Sequence, residues 1–202
     1  MRRSRLSVVL LTAAMMCGVP GRVWAQSIVS DRLDDAFRKY AKRFFGPGGD
    51  WRLFKAQGMT ESGLDPDATS RVGARGIMQL LPSTYQDVRS MAPVIGEQIN
   101  DPEWNIAAGI LYDRTLWKVW TDALDDEQRW KFTFGSYNAG MVTVRRAKKF
   151  AEERALDSRT WPGILAVAKD VPRWRHEETI HYVDRIMAYV ARMNPKGRVG
   201  KK

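Results

Sequence analysis

The sequence predicts a mainly α-helical protein built as a single domain. Apolar residues recur at helical spacing along almost the whole chain, and no long segment shows the strict alternation of a half-buried strand. A length of 202 residues suits one domain with a buried core and is short for two domains and a linker. We therefore expect helices packed around one core.

The first half of the chain contains two predicted helices and a long loop. Apolar spacing predicts a helix over residues 33–45, which ends at a run of glycine and proline, and a second helix over residues 50–61. Residues 62–75 are rich in glycine, proline, serine and aspartate and predict a loop. The next helix begins at Pro82.

The second half contains three further predicted helices. Asp101, followed by a proline and an early acid, is a strong helix start, and that helix extends to about residue 120. Asp125 opens another helix, and the pattern is interrupted at residues 136–140 before a basic segment. The last clear helix spans roughly residues 177–193.

The first 25 residues differ in composition from the rest of the chain. Arginines precede an apolar run over residues 6–17, which is short for a membrane span, and Ala25 supplies a small residue for a peptidase site. These features predict a cleavable secretory signal peptide over residues 1–25 and hence an exported or periplasmic protein. A lipoprotein anchored through Cys17 is the less favoured alternative, because two methionines precede that cysteine where small residues are expected.

Beyond this segment we predict one domain over residues 26–195 and a basic, disordered tail over residues 196–202. The single cysteine lies in the predicted signal peptide, so the domain has neither disulfide nor thiol chemistry. Removing the four arginines of the signal peptide lowers the formal net charge from +10 to +6. That charge suits a polyanionic partner, and export favours a bacterial wall polymer over nucleic acid. Simple solubility explains the charge equally well.

The most informative segment spans residues 61–84. Glu61 ends an apolar helix, and a loop of glycines and small polar residues follows, which can line a groove without filling it. A glutamate near apolar residues such as Leu64, Met78 and Leu80 is partly desolvated, which raises its pKa and favours the protonated form that a general acid needs. Periodicity alone is also consistent with an ordinary exposed acid at a helix end.

This segment resembles the signature of the soluble lytic transglycosylases, a family related to goose-type lysozymes. Glu-Ser, then Pro, Ala and Ser at fixed offsets, then Gly-Ala-x-Gly-Ile-Met-Gln and Pro-x-Thr fall in register without a gap. Residues 101–109 supply a further matching block, and residues 136–140 resemble the family's Ala-Tyr-Asn-Ala-Gly, with serine in place of the first alanine. Residues 178–183 resemble its Glu-Thr-x-x-Tyr-Val. Together the resemblance covers roughly residues 54–190.

The resemblance implies a lysozyme-like fold, with helices around a substrate groove, and an enzyme that cleaves peptidoglycan. It makes Glu61 the catalytic acid/base. Without the resemblance, the serine and glycine residues are also explained by turn formation, and the methionine and tyrosine residues by packing in the core. The substrate-binding residues that it implies along the groove are Ser70, Gly76, Met78, Gln79, Tyr137, Asn138 and Tyr182.

Most glycosidases use two carboxylates, whereas residues 69–86 contain no Asp or Glu. The family resemblance then implies that Glu61 protonates the oxygen between N-acetylmuramic acid and N-acetylglucosamine. Glu61 afterwards takes the proton of the muramoyl C6 hydroxyl, which gives a 1,6-anhydro end. Asp65 and Asp67 are the nearest other carboxylates, but turn-forming roles are favoured for them. A goose-type hydrolase and, less favoured, a non-catalytic wall-binding module are the alternatives.

The sequence predicts no cofactor and no metal site. His176 and His181 lie five residues apart on a helical segment and lack further ligands. The expected partners are the glycan strands of peptidoglycan and a cell-envelope machine such as a secretion system or a flagellum, with no nucleic acid. We expect a monomer.

Overall fold

The structure, a computed structural model, describes residues 20–194, with side chains from residue 33 onward. In that range the chain forms eight α-helices and a short 3-10 helix and no β-strand, which confirms the predicted mainly α fold. The helices are α1 (Pro20–Phe45), α2 (Trp51–Ser62), α3 (Pro82–Met91), α4 (Pro102–Trp117), α5 (Asp126–Ala139), α6 (Met141–Glu153), α7 (Trp161–Leu165) and α8 (His176–Met193), with the 3-10 helix at Ala168–Asp170.

Three helices begin at aspartates that cap them, because a carboxylate accepts a backbone N–H that the first turn leaves without a partner. Asp50 accepts from the backbone of the residue two positions on at 3.1 Å. Asp101 and Asp125 each accept from the residue three positions on, at 2.9 Å and 2.8 Å. The starts predicted for α2, α4 and α5 are confirmed to within one residue.

The first helix begins earlier than predicted, at Pro20, because apolar spacing indicates the buried face of a helix and not its full length. Most of the predicted signal peptide, residues 1–19, lies outside the described residues, and so does the predicted tail over residues 196–202. Among the residues that the structure describes, no helix is both long enough and apolar enough to cross a membrane.

The interruption predicted at residues 136–140 is wrong for most of that stretch. Helix α5 continues to Ala139 and only Gly140, with φ of +85°, breaks it before α6. Ser136 is fully buried and accepts a hydrogen bond from the indole nitrogen of Trp120 at 3.1 Å. Ser136 therefore points into the protein from a regular helix, whereas Asn138 of the same stretch is exposed.

Helix α2 packs against both α1 and α8. Phe37, Phe54 and Phe134 are fully buried in the core around it, and each such side chain contributes about 1.5–3 kcal/mol by leaving water. A methyl group at Gly58 would lie 3.0 Å from Ile77. The absence of a side chain there lets the loop after α2 pack directly on the helix.

That loop folds back on itself and is fixed to α4. Short bridges pair Arg75 with Thr69 and with Leu80. Asn105 of α4 donates to the carbonyls of Arg75 at 3.0 Å and Ile99 at 2.9 Å, and accepts from the backbone of Met78 at 2.7 Å. One buried amide therefore holds the wall of the groove described next.

Candidate active site

A groove passes the C-terminal end of α2, with Glu61 at its middle. One cavity of about 490 Å³ lies between the loop after α2 and the end of α5. A second cavity, of about 370 Å³, extends along α8. Glu61, Asn138 and Glu178 line both cavities, so the two form one continuous depression.

The Glu61 carboxyl is only partly exposed and is held by a phenol. Tyr182 of α8 donates a hydrogen bond from its hydroxyl to Oε1 of Glu61 at 2.5 Å. Burial raises the pKa of Glu61 from 4.5 to about 7, and the hydrogen bond from Tyr182 opposes that rise because it stabilises the ionised form. Near neutral pH both forms of Glu61 are populated, which suits a group that must give and then recover a proton.

A second phenol supports the wall of the groove. The hydroxyl of Tyr137 donates to the carbonyl of Met78 at 2.8 Å, and its ring lies against that of Tyr112 with centroids 5.1 Å apart. Burial, together with the charge of ionised Glu61, raises the pKa values of Tyr137 and Tyr182 well above the ordinary range. Both phenols therefore stay protonated and act as donors.

Asn138 is fixed by a hydrogen-bond chain between α5 and α8. Thr179 donates to Oδ1 of Asn138 at 2.9 Å and accepts from the indole nitrogen of Trp174 at 3.0 Å. Because the oxygen of the amide is occupied, the amide is held in one orientation at the edge of both cavities.

Five of the predicted substrate-binding residues line the groove, namely Ser70, Gln79, Tyr137, Asn138 and Tyr182. Ser70 also accepts from the backbone of Ala74 at 3.0 Å, so it serves the turn as well. Gln79 has a φ of +45° and donates to the carbonyl of Gly76 at 2.9 Å. A left-handed residue other than glycine is a strained conformation that clusters at functional sites.

The other two predicted residues, Gly76 and Met78, lie behind the groove. Met78 is fully buried, so its side chain is not placed to touch a ligand, whereas its carbonyl orients Tyr137. Gly76 has a φ of +74°, and a methyl group on it would lie 2.5 Å from Nδ2 of Asn105. In this structure both residues shape the wall, and a direct contact with substrate stays a prediction.

Several residues of the groove are not among those predicted from the sequence. Glu178, His181 and Arg185 of α8 line the cavity beside Glu61, and their spacing of three and four residues places them on the helix face that carries Tyr182. Glu178 is a second carboxylate at the groove and pairs with Arg175 at 2.6 Å. Glu178 and His181 lie in the segment 178–183 that resembles the family, whereas Arg185 lies outside it.

Three other acids, Asp65, Asp67 and Asp113, differ in their surroundings. Asp65 accepts from the backbone of Asp67 at 2.9 Å, as expected for a turn-forming residue, and both are exposed. Asp113 of α4, by contrast, is fully buried and receives a hydrogen bond from Gln57 of α2. Among the described residues no group of three or more His, Cys, Asp or Glu is placed to hold a metal ion.

Comparison with known proteins identifies the sequence family. The family described as "Transglycosylase SLT domain" matches residues 36–159. Membrane-bound lytic murein transglycosylase F of Shewanella woodyi is 31% identical over 170 residues, and that of Maricaulis maris is 30% identical over 156 residues. These matches cover 78% and 75% of this chain but only 34% and 33% of the relatives, so the chain spans about a third of their length.

Two solved structures are similar in fold. The 70 kDa soluble lytic transglycosylase of Escherichia coli matches with a TM-score of 0.59 and 25% identity, over 87% of this chain and 26% of that protein. A complex of a 70 kDa soluble lytic transglycosylase with bulgecin A matches with a TM-score of 0.56 and 25% identity, over 88% and 27%. The predicted lysozyme-like helical fold is thereby confirmed. The family match extends over more than half of the chain, which therefore belongs to the transglycosylase SLT-domain family.

Proposed function

We propose that this protein is a lytic transglycosylase that cleaves the β-1,4 bond between N-acetylmuramic acid and N-acetylglucosamine in peptidoglycan. The observation that carries the proposal is Glu61, a partly buried carboxyl with a pKa of about 7 at the middle of an open groove. Membership of the family supports the reaction class, and the matched relatives are named lytic murein transglycosylases.

In the first step protonated Glu61 gives its proton to the glycosidic oxygen. The bond between that oxygen and the anomeric carbon of the muramoyl residue breaks, and the N-acetyl group of the substrate stabilises the positive charge that develops. Because burial keeps a large fraction of Glu61 protonated near neutral pH, the acid is available without an external proton source.

In the second step Glu61, now ionised, acts as the base. It removes the proton of the muramoyl C6 hydroxyl, and that oxygen attacks the anomeric carbon to form a 1,6-anhydro end. Glu61 recovers its proton and no water is consumed. The hydrogen bond from Tyr182 stabilises the carboxylate between the two steps, so that one residue performs both.

The rigid polar groups around Glu61 are suited to orient a sugar. Asn138 is held by Thr179, and Gln79 is held by the turn at Gly76, so both present fixed polar atoms. Preorganised contacts of this kind reduce the entropy that a bound substrate must lose. We propose that Ser70, Gln79 and Asn138 contact the glycan strand.

Hydrolysis of the same bond is the second candidate, because Glu178 is a carboxylate at the groove. An inverting or retaining hydrolase needs such a group to activate water or to attack the sugar. The ion pair with Arg175 on the solvent side instead favours a role in binding. Under our proposal Glu178→Gln lowers activity without changing the product from anhydro to reducing ends.

We further propose that residues 1–25 direct export, that residues 26–195 form the catalytic domain, and that the protein acts on peptidoglycan in the periplasm. The names of the matched relatives support a location at the cell envelope. A monomer recruited by an envelope machine such as a secretion system or a flagellum is consistent with the size of the chain.

The proposal is tested by mass spectrometry of the products that the purified protein releases from isolated sacculi. Anhydromuropeptides are expected from the wild type and from Glu153→Gln, a control at an exposed glutamate near the end of α6. Glu61→Gln is expected to release none above background. Reducing muramic acid ends in place of anhydro ends would establish hydrolysis, and full activity of Glu61→Gln would refute the assignment.

A further inference from the structure

A buried polar pair lies beneath the active site and takes no part in the mechanism above. Gln57 of α2 and Asp113 of α4 are both fully buried. Nε2 of Gln57 donates to Oδ1 of Asp113 at 3.4 Å, a long hydrogen bond. Within the described part of the chain no Lys, Arg or His forms an ion pair with Asp113. A buried carboxylate without a cation is costly, because its charge loses the solvation of water.

The other two polar atoms of these side chains have no hydrogen-bond partner unless Asp113 is protonated. Oε1 of Gln57 and Oδ2 of Asp113 find no hydrogen-bond partner among the described residues. Both atoms are acceptors if Asp113 is ionised, so neither can satisfy the other. A proton on Oδ2 turns that atom into a donor for Oε1, and a carboxylic acid and an amide then form two hydrogen bonds side by side. A single proton on Oδ2 of Asp113 would therefore satisfy both atoms.

The pair is placed directly behind the catalytic carboxyl. Gln57 precedes Glu61 by four residues, which puts the two side chains on one face of α2, about one turn apart. Asp113 adjoins Tyr112, whose ring lies against Tyr137 at the wall of the groove. The link from Gln57 to Asp113 therefore ties the turn of α2 that precedes Glu61 to the helix that supports that wall.

Several titratable and charged groups surround Glu61. Burial raises the pKa of Asp113 well above the ordinary range, and the Glu61 carboxylate raises it further. Burial is also the cause of the raised pKa of Glu61. The groups that face Glu61 are Asp113 and Tyr112 from α4, Tyr137 from α5, and Glu178, His181, Tyr182 and Arg185 from α8.

We propose that Asp113 is a positioning residue that keeps its proton and forms a two-point acid–amide pair with Gln57. The pair fixes the catalytic end of α2 against α4 and places no charge beneath Glu61. This inference rests on the proposed function for the role of Glu61, whereas the protonation of Asp113 is a property of the folded chain. The two can therefore fail separately.

The protonation state is tested by NMR on the full chain without substrate. Side-chain carboxyl carbon shifts of the wild type are followed from about pH 5 to about pH 9, and Asp113→Asn identifies the signal by its loss. We expect one carboxyl signal that keeps the shift of a protonated acid through the titration of Glu61. A signal of Asp113 that shows an ionised carboxylate at about pH 6 overturns the proposal.

The positioning role is tested by kinetics on three variants. Asp113→Asn offers Gln57 an amide that pairs in the same two-point manner, whereas Asp113→Leu leaves Gln57 unsatisfied. Gln57→Leu/Asp113→Leu replaces both members of the pair by apolar groups and leaves no polar atom unsatisfied. It therefore provides a folded variant without the pair if Asp113→Leu alone unfolds. We expect kcat per folded molecule to fall about tenfold in both leucine variants with KM little changed, and to be rescued in Asp113→Asn.

The pH profile separates positioning from a purely structural role. In Asp113→Asn the alkaline limb of kcat/KM is expected to match that of the wild type, because no charge has been removed. A limb displaced to lower pH by about one unit would show that ionised Asp113 had raised the pKa of Glu61. That result overturns the proposal, and so does wild-type kcat in a folded leucine variant. Loss of anhydro products from the wild type itself would instead refute the proposed function.

Discussion

Replacing Glu61 by glutamine is expected to stabilise the protein above neutral pH while it abolishes activity. An unfolded Glu61 ionises near pH 4.5, whereas the folded chain holds its proton until about pH 7. The stability that this proton contributes is complete below pH 4.5 and is lost as pH rises through about 7. Glutamine has the shape of protonated glutamate and still accepts the hydrogen bond from Tyr182, but it never ionises.

The magnitude follows from the two pKa values. The interval from 4.5 to about 7, at about 1.4 kcal/mol per pH unit, sets a ceiling of about 3.5 kcal/mol. Because Glu61 retains contact with solvent in the groove, we expect about 2 kcal/mol. The gain of Glu61→Gln over the wild type is therefore absent below about pH 4.5, grows between the two pKa values, and is constant above about pH 7.

Urea unfolding at a series of pH values measures this difference. The control is Glu153→Gln, an exposed glutamate whose substitution is expected to change the free energy of unfolding by less than about 0.5 kcal/mol at every pH. Equal stabilities of Glu61→Gln and wild type at about pH 8 would refute the claim that burial raises the pKa of Glu61. A gain that is already complete at about pH 4 would assign the effect to packing instead.

Three further predictions concern a donor to Glu61, the wall of the groove and the start of α4. Tyr182→Phe removes a donor to the carboxylate and is expected to move the alkaline limb of kcat/KM about one unit to higher pH. Tyr189→Phe on the same helix is the control, and a limb that moves downward would contradict the assigned role. Gly76→Ala is expected to lower the free energy of unfolding by about 2–4 kcal/mol, because φ is +74° and the new methyl group meets Asn105; an unchanged urea midpoint would exclude this packing. Asp101→Ala, which removes the cap of α4, is expected to cost about 1 kcal/mol in the same assay, and a cost near zero would show the cap to be dispensable.

The parts of the fold that depend on nearby residues could be predicted from the sequence. The capping aspartates of α2, α4 and α5 act within three residues, so the helix starts could be located closely. Residues 136–140 interrupt the helical pattern of the sequence, and they include serine, asparagine and glycine, which favour turns. In the structure Ser136 is buried in the helix and accepts a hydrogen bond from Trp120, a contact that local propensity does not contain.

In the active site, too, the residues could be predicted from local sequence motifs, whereas the contacts between distant residues could not. Glu61 and most of its predicted neighbours were found because their segment matches a family signature without a gap. The hydrogen bonds at the active site and beneath it join residues far apart in sequence, Tyr182 with Glu61 and Gln57 with Asp113. Family motifs mark Glu61 and Tyr182 separately but do not predict the hydrogen bond between them, and no motif or periodicity links Gln57 to Asp113.

The attachment of the loop to Asn105 has a consequence for folding. Asn105 follows the backbone that it holds by as many as thirty residues, so the wall of the groove cannot take its final shape before α4 has docked. The same helix carries Asp113 against the segment that ends at Glu61. Detachment of α4 would therefore disassemble both sides of the site in one event. The complete site should be among the last features acquired during folding, and a partly folded form that lacks a docked α4 should be inactive.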